Sequence, residues 1–186
     1  MPSFDSKRVC SVVLAGGMGS RMGGVDKGLQ LLAGQPLARH CVQRLQAQMG
    51  GAPGQIAINA NRNPDVYAAW GCPVWADAIG GFAGPLAGFQ TALQHCASAP
   101  ALAPVLASAL ASAAPEGYRY LLTVACDTPR FPLDLLARLG QALEHEGADI
   151  AVAAAPEMGR DGAWSLRTQP VFCLLRIGLA DSLNAY

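Results

Sequence analysis

The residues between Leu14 and Lys27 have the types and spacing of an anion cradle. The segment reads Leu14-Ala-Gly-Gly-Met-Gly-Ser-Arg-Met-Gly-Gly-Val-Asp-Lys27, with five glycines from Gly16 to Gly24 and two cations, Arg21 and Lys27. Glycine lets backbone N–H groups come close to a ligand and converge on an anion. A guanidinium and an ammonium beside such a loop match a polyphosphate. A glycine-rich surface turn with two solvated charges has the same local pattern.

Three other polar side chains stand where apolar runs stop. Asn59 ends the run Gln55-Ile-Ala-Ile-Asn-Ala60, Asp77 follows Pro73-Val-Trp-Ala76, and Asp127 follows Tyr118-Arg-Tyr-Leu-Leu-Thr-Val-Ala125-Cys126. The glycine loop itself follows Val9-Cys-Ser-Val-Val-Leu14. If these four runs are parallel strands, their carboxyl ends form one edge, which is where open α/β sheets bind ligands. A single nucleotide-sized site then collects the loop, Asn59, Asp77 and Asp127.

The elements that would hold these residues alternate between strand and helix, which predicts a mostly parallel sheet covered on both faces. Pro36 suits a helix start, and Leu37, Cys41, Leu45 and Met49, with Val42, predict a helix over about 36–49. Further helices are predicted over 63–70, 86–96 and 132–143. Leu29–Gln35 reads as a short strand or extended arm. Asp149–Ala153 and Pro170–Leu175 read as strands separated by a polar loop from Glu157 to Thr168. The Ala-, Ser- and Pro-rich stretch 97–116 reads as a surface insertion without chemistry. The chain closes on an incipient helix from Ile177 to Tyr186.

Composition narrows the function. At 186 residues, 52% hydrophobic and 14% charged, the chain suits one globular domain. Thirteen basic and thirteen acidic side chains cancel, leaving no field for nucleic acid or a membrane surface. No apolar run reaches the ~18–20 residues of a membrane span, and the start lacks the pattern of a secretory signal, so a cytoplasmic location is expected. The six cysteines include no Cys-x-x-Cys pair and read as buried thiols. His40, His95 and His145 have no partner at metal-ligand spacing.

Two common nucleotide loops fail on particular residues. A dinucleotide fingerprint beginning at Gly17-Met-Gly19 meets Met22 where the third glycine belongs. A P-loop beginning at Gly19 meets Val25 and Asp26 between Gly24 and Lys27.

The segments Leu14-Ala-Gly-Gly17, Arg21-Met-Gly-Gly-Val-Asp-Lys-Gly28, Asn59-Ala-Asn-Arg62, Gly84-Pro-Leu-Ala-Gly88 and Cys126-Asp-Thr-Pro129, in this order, resemble the nucleotidyltransferases, and within them the molybdenum cofactor guanylyltransferases (MobA type). The resemblance covers about residues 9–96 and 118–175. It implies an α/β, three-layer α/β/α Rossmann-like nucleotidyltransferase fold with a mostly parallel central sheet. It implies GTP as donor, the phosphate of molybdenum-molybdopterin as acceptor, and Mg²⁺ as cofactor. By position, the main chain of Leu14, Ala15 and Gly16 would hold guanosine, with Gly17 completing the pair that favours guanine over cytosine. Lys27, Asn59, Asp77 and Asp127 would complete the GTP site, Asp127 would also bind Mg²⁺, and Gly84 to Gly88 would lie against base or ribose. Arg21 and Lys27 would hold the departing pyrophosphate, making Arg21, Lys27 and Asp127 the catalytic set.

Molybdenum-insertion proteins and molybdoenzyme chaperones are the partners that such a cofactor route implies. Relatives of this type continue past Tyr186 to a further strand and an Asn-rich motif. The expectation is therefore a single domain over 1–186, shortened at its acceptor end, that binds GTP–Mg²⁺ and transfers guanylate poorly. A cytidylyltransferase, a sugar-phosphate nucleotidyltransferase and a non-catalytic GTP-binding protein are the competing expectations, separated by nucleotide and acceptor preference.

Overall fold

Six apolar or small residues in succession, Val9–Leu14, form β1, and all but Leu14 are buried. Such a run has no polar face to offer water, so it belongs inside a sheet covered on both sides. A computed structural model, which describes residues 4–17, 24–78, 84–98, 117–159 and 162–180, places it there. β1 runs parallel to β4 (Gln55–Asn59) on one side and to β6 (Tyr120–Ala125) on the other. With β2 (Leu31–Leu32) and β3 (Gln35–Pro36) forming a separate small hairpin, the main sheet has the order β5-β4-β1-β6-β8-β7. Here β5 is Val74–Trp75, β7 is Ile150–Met158 and β8 is Trp164–Arg176. β5 is parallel to β4, whereas β8 is antiparallel to both β6 and β7.

Alternate side chains of β1 serve two cores, as the period of a strand requires. Val9 and Val13 pack with Cys41, Val42 and Leu45 of α1 (Leu37–Gln46) and with Leu136, Leu139 and Leu143 of α4 (Leu135–Glu146). Cys10 and Val12 pack on the opposite face with Phe89, Ala92, Leu93 and Cys96 of α3 (Pro85–Ser98). A short α2 (Pro64–Ala68) joins β4 to β5. The outcome is the three-layer α/β/α arrangement with a mostly parallel sheet. Among the described residues, no helix is long and apolar enough to cross a membrane.

The helix expected over 132–143 runs three residues later, as α4, and the structure corrects two further boundaries. The stripe attributed to a helix over 36–49 ends earlier, because α1 stops at Gln46 and Met49 is 62% exposed. Gly50 and Gly51, at φ +86° and +114°, turn the chain there, and the Met49 amide donates to Leu133 O instead. The expected polar loop from Glu157 to Thr168 is largely strand. Pairs such as Ala155↔Arg167, Glu157↔Ser165 and Met158↔Trp164 extend β7 and β8 as a two-stranded arm. Both faces of that arm are mostly solvated, so its residues carry no buried alternation for a sequence reading to detect. Pro156 fits because β7 is an edge strand.

The arm departs from the sheet through a bulge. Val152 pairs with Cys173 while the next residue, Ala153, pairs with Gln169, so Pro170, Val171 and Phe172 stand outside the ladder. Thr123 Oγ1 of β6 donates to Val171 O at 2.7 Å and ties the bulge to the sheet. The stretch 99–116, most of the expected insertion, and residues 181–186 lie outside the described residues.

Candidate active site

The carboxyl ends of β1, β4, β5 and β6 come together, because all four strands are parallel and in close register. Leu14 pairs with Asn59 on one side and Ala125 on the other, which sets the glycine loop between the Asn59 and Asp127 ends. A cleft of about 340 Å³ opens over this edge. Leu14, Ala15, Gly16, Gly17, Lys27, Asn59, Asp77, Gly84 and Asp127 all line it, joined by Val171 from the β8 bulge. Arg21 lies outside the described residues, as do residues 79–83 before Gly84.

The floor of the cleft is a tied set of amides and one carboxylate. Asn59 is buried, and its Nδ2 donates to Trp75 O at 3.1 Å and to Asp77 Oδ1 at 2.8 Å. Asn61 Nδ2 donates to Asp77 Oδ2 at 2.6 Å and to Gly16 O at 3.2 Å, while Asn61 Oδ1 accepts from the Asp77 amide at 2.7 Å. Asp77 is thus clamped by two asparagines, and through Asn61 the clamp fixes the backbone of Gly16. Both neighbouring glycines are required by closeness. A Cβ on Gly16 would stand 2.9 Å from Asn61 Nδ2, and one on Gly88 would stand 2.6 Å from Asn59 Oδ1.

The far side of the loop is braced from α2. Asp26 Oδ1 accepts from the Gly28 amide at 3.1 Å and from Tyr67 Oη at 2.6 Å, and its Oδ2 accepts from Asn63 Nδ2 at 2.9 Å. Burial, then the hydrogen bond to Asp26, push the Tyr67 phenol well up, so it stays a donor. Arg62 Nη1 and Nη2 donate to Gly24 O and Val25 O at 2.5 and 3.2 Å. Asp26 therefore holds the loop and does not face the cleft as a ligand. Lys27, next in sequence, projects its Nζ to Asp127 Oδ2 at 3.1 Å.

Asp127 is 43% exposed, and its carboxylate reaches Lys27 well before α4 begins. Cys126 beside it is buried, and burial followed by the charges of Asp127 and Asp26 pushes its thiol up to about 12. It is not a thiolate nucleophile at neutral pH. His40 contacts Leu32 O, His95 stacks on Trp75 and His145 meets Glu146, so each histidine is engaged outside the cleft. Among the described residues, no three His, Cys, Asp or Glu side chains form a metal-binding group.

Asn59 and Asp77 are legible in the sequence as site residues, whereas Asn61, Arg62 and Tyr67 carry no role there. Asn61 and Arg62 belong to the Asn59-Ala-Asn-Arg62 segment, and their partners, Gly16, Asp77, Gly24 and Val25, lie elsewhere in the chain. Val171 carried no signal at all, since it is one apolar residue in an apolar strand.

Residues 11–186 match the family model described as the MobA-like NTP transferase domain. The chain belongs to that family. This MobA-like NTP transferase is 54% identical over 180 residues to a protein of Albidiferax ferrireducens named molybdenum cofactor guanylyltransferase, covering 97% of this chain and 75% of the relative. Relatives with the same name in Acidovorax ebreus and Bordetella pertussis are 52% and 48% identical, covering 97% of this chain and 74% and 77% of their own lengths. Among solved structures, the Archaeoglobus fulgidus molybdopterin-guanine dinucleotide biosynthesis protein A superposes with TM-score 0.58 at 17% identity, over 95% of this chain and 71% of that one. A Mycobacterium sp. strain JC1 homologue of Rv0371c superposes with TM-score 0.64 at 18% identity, over 97% and 75%. At these identities the two structures speak for the fold of the MobA-like transferases alone.

Proposed function

We propose that this chain transfers GMP from GTP to the phosphate of molybdenum-molybdopterin, forming a guanine dinucleotide cofactor and pyrophosphate. The observation that carries this reading is the Lys27–Asp127 pair set in the cleft that the glycine loop lines. The shared name of relatives at 44–54% identity supports the choice of nucleotide and acceptor.

An acceptor phosphate oxygen attacks the α-phosphorus of GTP, a new P–O bond forms, and the α–β bridging bond breaks to release pyrophosphate. The attacking oxygen is already ionised, so no general base is needed and the difficulty is repulsion among anions. Lys27 offsets that charge, with Arg21 assigned the same task from its place in the loop. The backbone of Leu14 to Gly17 holds guanosine. Asn59 and Asn61 hold Asp77 as the fixed acceptor against which base or ribose is oriented. Gly84 lines the same cleft, against base or ribose.

The donor set fits Mg²⁺. A half-exposed carboxylate with hard oxygen atoms, and no cage of three ligands among the described residues, suits a cation that keeps most of its shell for water and phosphate oxygens. Asp127 would hold it. When bound, the ion neutralises phosphate charge as a Lewis acid. In this reading the enzyme works in the cytoplasm and hands its product to molybdenum-insertion proteins or molybdoenzyme chaperones.

The test is transfer of α-labelled phosphate from GTP, CTP or ATP to molybdenum-molybdopterin, with and without Mg²⁺. Label from GTP alone, lost on chelation, is the expected result. Efficient transfer from CTP overturns the choice of guanine.

A further inference from the structure

We propose that one face of the β7–β8 arm is a docking surface for a second copy of this chain. The proposal goes beyond guanylate transfer and does not depend on it. Of the large apolar side chains left exposed among the described residues, half are gathered here: Ile150, Val152, Met158, Trp164 and Leu166. Strand alternation puts them in one row. Ile150 and Val152 pair with Leu175 and Cys173, which are buried in the core that α3 covers, yet both lie exposed beyond that cover. Past the bulge, the pairs Pro156↔Leu166 and Met158↔Trp164 continue the row, with Trp164 67% and Leu166 76% exposed.

The two faces of the arm differ in charge. The even-numbered residues of β7 from Ile150 to Met158, with Trp164, Leu166 and Thr168 of β8, include no ionisable side chain. The reverse face carries Glu157 and Arg167, joined at 3.3 Å, and suits water. A face that is apolar throughout is matched by another apolar face, and a two-fold axis lets a chain supply it to itself. Thirteen basic and thirteen acidic side chains cancel, so two copies approach without net repulsion. Pro156 on the edge strand discourages edge-to-edge pairing, which leaves the face as the route of association.

The area is sufficient for a dimer. At their exposures the five side chains present on the order of 600 Å² of apolar surface, the upper end of what a monomer leaves in one patch. Ala154, Pro156 and Thr168, exposed in the same row, bring it towards the ~800 Å² that each partner of a stable complex buries. Trp164 is the anchor of the interface, since a few aromatic side chains carry most of the binding energy in such contacts.

The experiment is sedimentation velocity on the whole chain over about 1–100 µM, where a weak interface of this size dissociates. The parent should reach twice the mass of one chain, and its tryptophan emission should move to the red on dilution as Trp164 returns to water. Trp164→Glu and Leu166→Glu should each raise the dimer dissociation constant about thirtyfold or more, the loss expected of an interface anchor, while circular dichroism shows both still folded. Arg167→Gln, on the reverse face, should leave the dimer as it was. A single chain at every concentration overturns the proposal, and its capture by phosphatidylcholine vesicles would give the face to a lipid surface instead. A dimer equally tight in both Glu variants also overturns it, by placing the interface elsewhere. The readout is mass, so loss of guanylate transfer would count against the guanylyltransferase reading and not against the interface.

Discussion

Lys27 Nζ lies 3.1 Å from Asp127 Oδ2, across one hundred residues of chain, at the ends of two segments that β1 and β6 bring side by side. The side chains are 38% and 43% exposed, so the pair adds little to stability and stays open to a ligand. Lys27→Ala and Asp127→Asn should each cut guanylate transfer by about 10²–10³-fold, the scale of losing one charge-stabilising group. Thermal unfolding of both variants should match the parent. Steady-state kinetics beside a melting curve checks both halves, and near-normal rates in either variant would remove the pair from the chemistry.

The close approach of α3 to the cleft gives a second expectation. Gly88→Ala would put a Cβ 2.6 Å from Asn59 Oδ1 and 2.9 Å from Leu14 Cδ2. Asn59 must then move, and with it the clamp on Asp77. The dissociation constant for GTP should rise by roughly tenfold, equivalent to ~1.4 kcal/mol. Calorimetry measures this directly, and an unaltered constant would mean that the clamp does not orient the nucleotide.

A third concerns the brace from α2. Tyr67→Phe removes the donor to Asp26 while leaving the Gly28 amide in place. Urea unfolding should show a loss of about 0.5–1.5 kcal/mol, and transfer should fall by less than in Lys27→Ala. Gly28→Ala should be worse than Tyr67→Phe, because the added Cβ would lie 2.4 Å from Tyr67 Oη.

The buried thiols set the alkaline limit. Burial pushes both Cys41 and Cys126 up to about 12, above the ordinary value of 9.0. The unfolded chain therefore loses these protons first. Their contribution to stability is complete below pH 9 and is lost as the pH rises through 12. Urea midpoints should decline over that window, and Cys126→Ala should transfer guanylate at close to the parent rate. Rapid alkylation of Cys126 in the native protein at pH 7 would contradict the assignment.

The fold was legible where burial left a pattern. The continuous apolar runs of β1 and β6, and the four-residue stripe of α1, each announce an element with one way to hide from water. The glycine loop was legible because its failures were as specific as its matches: Met22 excludes one nucleotide fold, and Val25 with Asp26 another. What sequence did not carry is of two kinds. The solvated β7–β8 arm is held by backbone hydrogen bonds, which any side chains permit. Asn61, Arg62 and Tyr67 act through partners far away in the chain, and ordinary polar residues look the same before and after they find such partners.

The place of β1 at the centre of the sheet has a consequence for assembly. β4 follows it closely in the chain, but β6 comes only after α3 and the stretch beyond it, so the pairing that sets Lys27 against Asp127 closes a long loop. Long-range parallel pairings of this kind form slowly. The glycine loop and the asparagine clamp can be made early, from the first half of the chain alone. The charged pair needs Asp127 from the second half of the chain, so the first half alone supplies the floor for the nucleotide without the pair that acts on it.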